Sequence, residues 1–368
     1  MIKTNKEIIT TKQGIFLTSI FTIGTSLILR GGTIAKQDIW ISILLAILAI
    51  IPVVFVYSKI LSFFPGKNLY EILDLSFGRI AGRIFSILYI VYFAYLGALC
   101  VRNITEFIQI ISLRLTPQYF SGLWIILLGV YMVKSGIEVF GRWSILVCVL
   151  IFSLIFIMSV SAISQIDFQN VLPVLYEGWG PVIETAISIF SFPFGEVVIF
   201  LALFNNLRDN KKTFKVFFTS ILIVGFSLIV TSARSTFILG FPLAENTYFP
   251  LYFANTIITI GYFIESVAIF SSIMLVLSGF AKFSTSLFAV CIGLKHLFNT
   301  QDYRKFSLPM SLLILIVSQV MVSSTMEMMN LVYSYHFYAL PFQVIFPLII
   351  LFFSWRKKKE EIPRPPSE

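Results

Sequence analysis

The sequence is poor in charge, cysteine and histidine. Only 12% of its 368 residues are Asp, Glu, Lys or Arg, about half the fraction typical of a soluble globular protein. The three cysteines, Cys100, Cys148 and Cys291, lie in or beside apolar stretches and show neither a disulfide framework nor metal-ligand spacing. The chain has two histidines and no glycine-rich phosphate loop. These shortages argue against a soluble enzyme and a metal centre, and no cofactor is expected.

Long apolar runs dominate what remains. Residues of the hydrophobic class make up 58% of the chain, and its mean hydropathy is +0.92. Runs of about 20 apolar residues recur along the whole length, as in a polytopic all-α membrane protein. The sequence predicts ten transmembrane helices, near residues 12–31, 38–62, 84–112, 119–136, 142–164, 183–204, 214–237, 251–281, 306–326 and 337–355.

The basic residues alternate with these ten spans. With a cytoplasmic N-terminus, 22 of the 27 Lys and Arg residues fall in cytoplasmic segments and four fall outside, while Arg102 lies within the third span. Cytoplasmic loops of membrane proteins are enriched in Lys and Arg. The distribution therefore predicts that both termini are cytoplasmic and that residues 356–368 form a basic cytoplasmic tail.

Ten spans divide into two groups of five. Because five is odd, a second copy of a five-span unit starts on the opposite side of the membrane, which is the condition for an inverted repeat. We expect one transmembrane domain, 1–368, with one repeat near 12–164 and the other near 183–355. The first span of each repeat should then correspond.

A mid-membrane interruption is predicted in the sixth span. The stretch contains Phe192, Pro193, Phe194, Gly195 and Glu196. Proline removes a backbone donor and glycine adds backbone freedom, so the span should break into two half-helices there. A carboxylate at that depth is a functional-site hypothesis by default. The simpler interpretation is a proline kink whose carboxylate faces neighbouring helices.

The first span carries a weaker, matching interruption. Thr22, Ile23, Gly24 and Thr25 lie near its middle. Matching breaks in two repeats indicate a transporter binding site, although a glycine flanked by threonines is also an ordinary packing surface between membrane helices.

Other candidate site residues are placed by depth. Leu96 and Gly97 in span three, and Glu265 in span eight, fall at the same level as the two breaks. Two carboxylates, Glu196 and Glu265, are suited to a cation, a ligand amine or a proton. Half-helix starts offer free N–H groups to a carboxylate, so the combination suits a zwitterion such as an amino acid. We predict a ligand site formed by these twelve residues of spans one, three, six and eight.

Two further features concern single helices. Arg102 and Glu106 are four residues apart and can pair on one helix face, either as a structural ion pair or as a gate or ligand contact. Apolar residues at helical spacing predict a short interfacial helix after Asn68. A second such helix is predicted near 283–298, with a longer span eight or a re-entrant segment as the alternatives.

Several motifs along the chain are specific enough to compare with known families. The most specific is Gly178-Trp179-Gly180-Pro181-Val182-Ile183 followed by Phe192-Pro193-Phe194-Gly195-Glu196-Val197-Val198-Ile199-Phe200. Others are Phe64-Pro65-Gly66-Lys67-Asn68-Leu69, Gly136-Ile137-Glu138-Val139-Phe140-Gly141-Arg142 and Leu172-Pro173-Val174-Leu175. These motifs resemble those of the spore germination permeases, the B subunits of nutrient germinant receptors, and the resemblance covers nearly the whole chain. The family is similar to the amino acid–polyamine–organocation transporters, which have ten spans in a five-plus-five inverted repeat.

This resemblance implies a nutrient-sensing subunit of the inner membrane of a bacterial endospore. It would bind a germinant, often an amino acid, and would act beside an A-type subunit and a lipoprotein C-type subunit. By motif, residues 22–25 and 192–196 would line the pocket. The fold alone leaves two other hypotheses open: an amino acid transporter coupled to H⁺ or Na⁺, and a scaffold or conduction subunit with a vestigial pocket.

Overall fold

The protein is a bundle of helices. The computed structural model describes residues 7–26, 33–245, 247–258 and 267–360. The α-helices in these ranges are α1 (Thr11–Ile23), α2 (Ile39–Phe63), α3 (Leu69–Phe77), α4 (Arg79–Ile111), α5 (Gln118–Ser135), α6 (Ile137–Ser161), α7 (Trp179–Ile189), α8 (Thr213–Glu245), α9 (Pro250–Ile257), α10 (Ala268–Leu297), α11 (Ser307–Val320), α12 (Thr325–Leu340) and α13 (Phe346–Glu360).

The described helices are those of a membrane protein. Seven helical segments are long and apolar enough to span a membrane: Ile34–Phe63, Arg79–Ile111, Ile137–Ser161, Trp179–Leu201, Asn210–Gly240, Ala268–Leu297 and Thr325–Arg356. The shorter helices α1, α5 and α11 occupy three other predicted spans and bring the bundle to ten. Large apolar side chains such as Ile80, Leu146 and Phe156 are exposed on its surface, as expected where the solvent is lipid.

The architecture is the predicted all-α, five-plus-five inverted repeat with broken helices 1 and 6. α1 leads the first repeat, and it packs against α8 and α10 of the second as well as against α6. α7 leads the second repeat and packs against α2 of the first. The two halves therefore share one interior. The repeat boundaries near 12–164 and 183–355 remain predictions.

The short helix predicted after Asn68 is confirmed as α3. Its start is fixed by a reciprocal cap, because the Asn68 side chain accepts from the Glu71 N–H and the Glu71 carboxylate accepts from the Asn68 N–H. Such a cap satisfies two backbone donors that a helix start leaves free. Leu69, Ile72 and Leu73 are buried on its inner face.

The prediction for span eight was wrong in two respects. Residues 251–281 are not one helix, because α9 ends at Ile257 and α10 starts at Ala268. The second interfacial helix does not exist as a separate element, because α10 continues unbroken to Leu297, as the alternative of a longer span had it. Small buried residues, including Gly279, Ser286 and Gly293, let α10 lie close to α4 over its length.

Two basic residues that the charge distribution assigned to loops are buried within helices. Lys282, counted as a cytoplasmic residue in the charge distribution, lies in the middle of α10 and is 2% exposed. Arg234, counted as outside, is also buried within α8.

Candidate binding site between the broken helices

The sixth span breaks where the sequence predicts. α7 ends at Ile189, a wide turn covers Phe190–Phe194, and a tight helical stretch, Gly195–Leu201, follows. Phe192 has an extended backbone conformation, with φ −129° and ψ 111°. Pro193 has no N–H to donate. The Gly195 N–H donates to the Phe190 carbonyl, five residues back, and the Ser191 carbonyl accepts a hydrogen bond from Gln343 Nε2 at 2.9 Å.

The first span breaks at Gly24. This residue has φ 36° and ψ −121°, a backbone conformation that glycine adopts without steric cost. Its carbonyl leaves the helical pattern and accepts a hydrogen bond from Ser278 Oγ of α10 at 2.5 Å. The break in the first span thus faces α10, and the break in the sixth span faces the turn between α12 and α13 that contains Gln343.

A buried ion pair lies beside both breaks. Lys282 Nζ is 2.5 Å from Glu196 Oε2, and the two side chains are 3% and 2% exposed. The Lys282 ammonium also lies 4.4 Å from the centre of the Phe192 ring, within the range of a cation–π contact. One side chain from the broken sixth span is therefore joined to one from the middle of α10.

A chain of polar groups extends from this pair. Tyr335 donates to Glu196 Oε1 at 3.1 Å, and its hydroxyl lies 2.9 Å from that of Tyr92. Gln343 Nε2 donates to the Tyr92 hydroxyl at 3.0 Å. Tyr335, Tyr92 and Gln343 are buried, and direct hydrogen bonds between these side chains connect α4, α12 and the break.

A small cavity adjoins the ion pair. Its volume is about 20 Å³, which is room for about one water. The lining residues come from both repeats and are Thr25, Leu96, Leu99, Cys100, Asn103, Phe192, Glu196, Lys282, Leu331, Val332 and Tyr335. Asn103 Nδ2 donates to Thr25 Oγ1 at 3.4 Å. Asn103 Oδ1 is buried and has no hydrogen-bond partner within the described residues.

The groups around the cavity suit a small molecule of mixed polarity, although the space between them is now large enough only for about one water. It offers one cation, one carboxylate and a free amide oxygen among aliphatic and aromatic walls. Among the described residues no group of three or more His, Cys, Asp and Glu side chains is placed to hold a metal ion.

Four of the twelve predicted site residues line this cavity: Thr25, Leu96, Phe192 and Glu196. Seven others lie close by without lining it: Thr22, Ile23, Gly24, Gly97, Pro193, Phe194 and Gly195. Thr22 donates to the Thr18 carbonyl within α1. A Cβ at Gly195 would meet Gln343 Oε1 at 2.3 Å, so Gly195 faces that side chain. Glu265 lies outside the described residues, and the binding role of all twelve stays a prediction.

Sequence reasoning missed Lys282, Asn103 and Tyr335. Lys282 was the most detectable, because it is a single lysine within a run of apolar and small residues. Because the predicted span eight ended at residue 281, Lys282 was assigned to the cytoplasmic loop that follows. Asn103 and Tyr335 carry no comparable signal, since polar residues are common near helix ends in this chain.

The Arg102–Glu106 pair is present, with Nη2 and Oε2 2.9 Å apart and both side chains buried. Glu106 also accepts from Gln118 Nε2 at 2.7 Å and from Thr325 Oγ1. These bonds tie α4 to α5 and to the start of α12. The structural interpretation is therefore favoured over a ligand contact.

Comparison with known proteins gives the family. A family model described as spore germination protein matches residues 8–330. Spore germination protein KB of Bacillus subtilis is 30% identical over 362 residues, covering 97% of each chain. The putative spore germination protein YfkT of the same bacterium is 27% identical over 301 residues, covering 81% of this chain and 82% of its own.

Two solved transporters share the fold. Mhp1, a nucleobase-cation-symport-1 family transporter solved in a closed conformation with bromovinylhydantoin bound, superposes with a TM-score of 0.71 at 12% identity and covers 97% of this chain and 80% of its own. MhsT, solved in complex with L-phenylalanine, gives 0.63 at 12% identity and covers 93% and 98%. With the family match over most of the sequence and the motif around Pro193, the chain belongs to the spore germination permease family.

Proposed function

We propose that this chain is the B-type subunit of a nutrient germinant receptor. It binds a small nutrient, an amino acid, in the cavity between the broken helices and triggers germination of the endospore. The observation that carries the proposal is the buried Glu196–Lys282 pair beside that cavity. An ion pair inside a membrane bundle is costly to bury, and unlike the Arg102–Glu106 pair this one lies beside two helix breaks and a cavity, which supports a functional role.

The comparisons support a small-molecule ligand. The relatives are named for spore germination. The two transporters of the same fold were solved with bromovinylhydantoin and with L-phenylalanine bound. In this chain, Thr25 and Glu196 of the broken helices adjoin a cavity with one charge of each sign.

The ligand site in this proposal comprises the residues predicted from the sequence. Those on the cavity wall contact the nutrient, and those at the two breaks shape the backbone around it. Glu265 is included as a further carboxylate of the site.

The assembly and location follow the family resemblance. The chain works beside an A-type subunit and a lipoprotein C-type subunit in the inner spore membrane. Both termini and the basic tail from Arg356 are cytoplasmic, which the positive-inside distribution supports. A reporter fused to either end should be protected from protease that is added outside sealed, right-side-out vesicles.

The test is amino-acid binding to the purified chain in nanodiscs, across the twenty common amino acids, in wild type and in Glu196→Gln. We expect saturable binding in the wild type and a much lower affinity for amino acids in the variant. Uptake by vesicles containing the same protein separates the receptor from the alternative, an H⁺- or Na⁺-coupled amino acid transporter. Accumulation against a gradient would favour the transporter.

The experiment is repeated with the A-type and C-type subunits co-expressed. If the wild type binds none of the amino acids in either form, the proposed ligand class is wrong. Retention of wild-type affinity by Glu196→Gln would instead remove the cavity from the proposal.

A further inference from the structure

The charged groups of the cavity neutralise each other in this structure. Lys282 Nζ and Glu196 Oε2 are 2.5 Å apart, and the space beside them is about 20 Å³. A nutrient cannot enter this site without moving them. What the ion pair does when a nutrient enters therefore decides which nutrients are accepted, and this question rests on the proposed function.

A ligand with a single charge would leave one of the two buried charges without a partner. An amine that takes Glu196 leaves the Lys282 ammonium buried without a partner, and a carboxylate that takes Lys282 leaves Glu196 unpaired. Losing one partner of a buried, hydrogen-bonded charge pair typically weakens an interaction by about 30-fold or more. A zwitterion avoids this, because it supplies one partner to each group.

The free polar atoms favour one orientation. Asn103 Oδ1, which lacks a hydrogen-bond partner within the described part of the chain, lines the same cavity as Glu196. Two acceptors, the carboxylate and this amide oxygen, suit an ammonium with three N–H donors. Lys282, which lines the same cavity, is the cation that a ligand carboxylate requires. Leu96, Leu99 and Cys100 of α4 leave an apolar wall for a side chain.

We propose that Lys282 is a built-in occupant of the ligand site. The ammonium of an entering amino acid replaces the Lys282 ammonium at Glu196, and the released Lys282 binds the ligand's carboxylate. One internal ion pair is exchanged for two ion pairs to the ligand. The site consequently selects zwitterions over amines and acids of the same shape.

The exchange also changes contacts that the broken helices make with α10 and α12. Lys282 lies against the first break, where a Cβ at Gly24 would be 2.6 Å from Lys282 Cδ. Glu196 is bonded to Tyr335 of α12. Separating the pair therefore changes the contacts of both broken helices with α10 and α12. A ligand can shift a conformational equilibrium only through such a difference in contacts.

The experiment compares each amino acid that binds with its decarboxylated amine and its deaminated acid. For L-alanine, L-valine and L-phenylalanine these are ethylamine and propionate, 2-methylpropylamine and 3-methylbutanoate, and 2-phenylethylamine and 3-phenylpropionate. We expect the wild-type chain in nanodiscs to bind the amino acid about 30-fold or more tightly than either analogue. Lys282→Gln should lose most of its preference over the amine, and Glu196→Gln should lose most of its preference over the acid.

If the two variants lose different preferences, one over the amine and the other over the acid, the ion pair is exchanged on binding. A purely structural role would weaken the binding of all three ligand types alike. The matched control is Arg102→Gln, which removes one charge from a second buried pair, Arg102 and Glu106, 2.9 Å apart; Arg102 does not line the cavity, although its neighbour Asn103 does. It should keep the wild-type ranking. The double variant Glu196→Gln/Lys282→Gln, which leaves no unpaired charge, serves as a folded reference and should discriminate among the three ligand types least.

Each outcome decides one question. If the wild type binds an amino acid but the single variants keep its charge ranking, the exchange is wrong and the proposed function stands. The exchange is equally wrong if the wild type binds amines or acids as tightly as amino acids. If the wild type binds no amino acid, both proposals fail together.

Discussion

At the scale of single residues, the Glu196–Lys282 pair is the least expected feature of the interior. Burying two charges costs several kcal/mol per ion, and both side chains here are almost fully buried. Attraction and hydrogen bonds offset that cost only partly, so such a pair adds little stability compared with apolar residues of the same volume. Its position beside two helix breaks fits recognition better than stability.

Gly24→Ala tests the break in the first span. Its φ of 36° is unfavourable for alanine, and the new Cβ would lie 2.6 Å from Lys282 Cδ and 2.8 Å from the Phe21 carbonyl oxygen. We expect a loss of about 1–3 kcal/mol of stability, measured as a lower melting temperature in detergent, together with weaker nutrient binding. Gly180→Ala is the control, because a Cβ there meets nothing within 4 Å. Equal melting temperatures for the two variants would contradict the strain at Gly24.

Tyr335→Phe tests the hydroxyl that supports Glu196. The substitution removes hydrogen bonds at 3.1 Å to Glu196 and at 2.9 Å to Tyr92 while keeping the ring. A hydrogen bond to a charged group contributes about 1.5–3 kcal/mol, so we expect a fall in stability of that order and weaker ligand binding. Tyr131→Phe, on the exposed face of α5, should have no effect. Unchanged binding by Tyr335→Phe would remove the hydroxyl from the site.

At the scale of elements, α10 owes its position to small residues that face α4. Without a hydrophobic drive between helices in lipid, close approach depends on packing and on residues that leave room for it. Gly279 and Gly293 supply that room, since a Cβ at either position would lie under 3 Å from side-chain atoms of α4. This close packing fixes where Lys282 meets Glu196.

Gly279→Ala should separate α10 from α4. The added Cβ would lie 2.6 Å from Ile104 Cδ1, and overpacking of an interior typically costs about 1–3 kcal/mol. The control, Gly97→Ala, lies on α4, where the nearest atoms, in Ile314 of α11 and Ser286 of α10, would be 3.4 Å away. We expect a clear fall in melting temperature for the first variant and a small one for the second. The reverse order would show that the helix contact is more adaptable at Gly279 than its packing indicates.

At the scale of the whole molecule, the N-terminal segment links the two repeats. Ile9 exchanges backbone hydrogen bonds of 2.8 Å with Asn206 and Arg208, which follow the broken sixth span. Glu7 accepts from the Ile137 N–H at the start of α6 and pairs with Arg304 at 2.8 Å. One short segment thus connects α6, the end of the sixth span and the turn before α11.

Glu7→Ala should loosen this connection. It removes the side chain that caps α6, and loss of a helix cap costs about 1 kcal/mol; the partly exposed ion pair adds little. We expect faster hydrogen exchange at the amides of Ile9 and Arg208, followed by mass spectrometry, with ligand affinity changed less than by Tyr335→Phe. Glu138→Ala removes an exposed pair with Arg142 and is the control. Unchanged exchange at Ile9 would show that Glu7 does not hold the segment.

The sequence by itself determined the fold class, the ten spans, the five-plus-five organisation and the break at Pro193. Each follows from local chemistry: apolar runs of membrane length, an odd number of spans per repeat, and a residue that cannot continue a helix. It also placed Glu196 at the break, because the carboxylate adjoins Pro193 in the chain. Its error over span eight arose where a helix of small residues had no local signal for its ends.

Only the tertiary structure decided what faces Glu196. Lys282 is 86 residues away along the chain, and although its apolar and small neighbours are a local sign of burial, they do not show which group it meets. Whether Gly195 faces a cavity or Gln343 likewise depends on how the tenth span packs against the break. Helix breaks are local properties of the backbone, whereas the partner of a buried charge is set by the packing of several helices, and that packing turns a broken helix into a site.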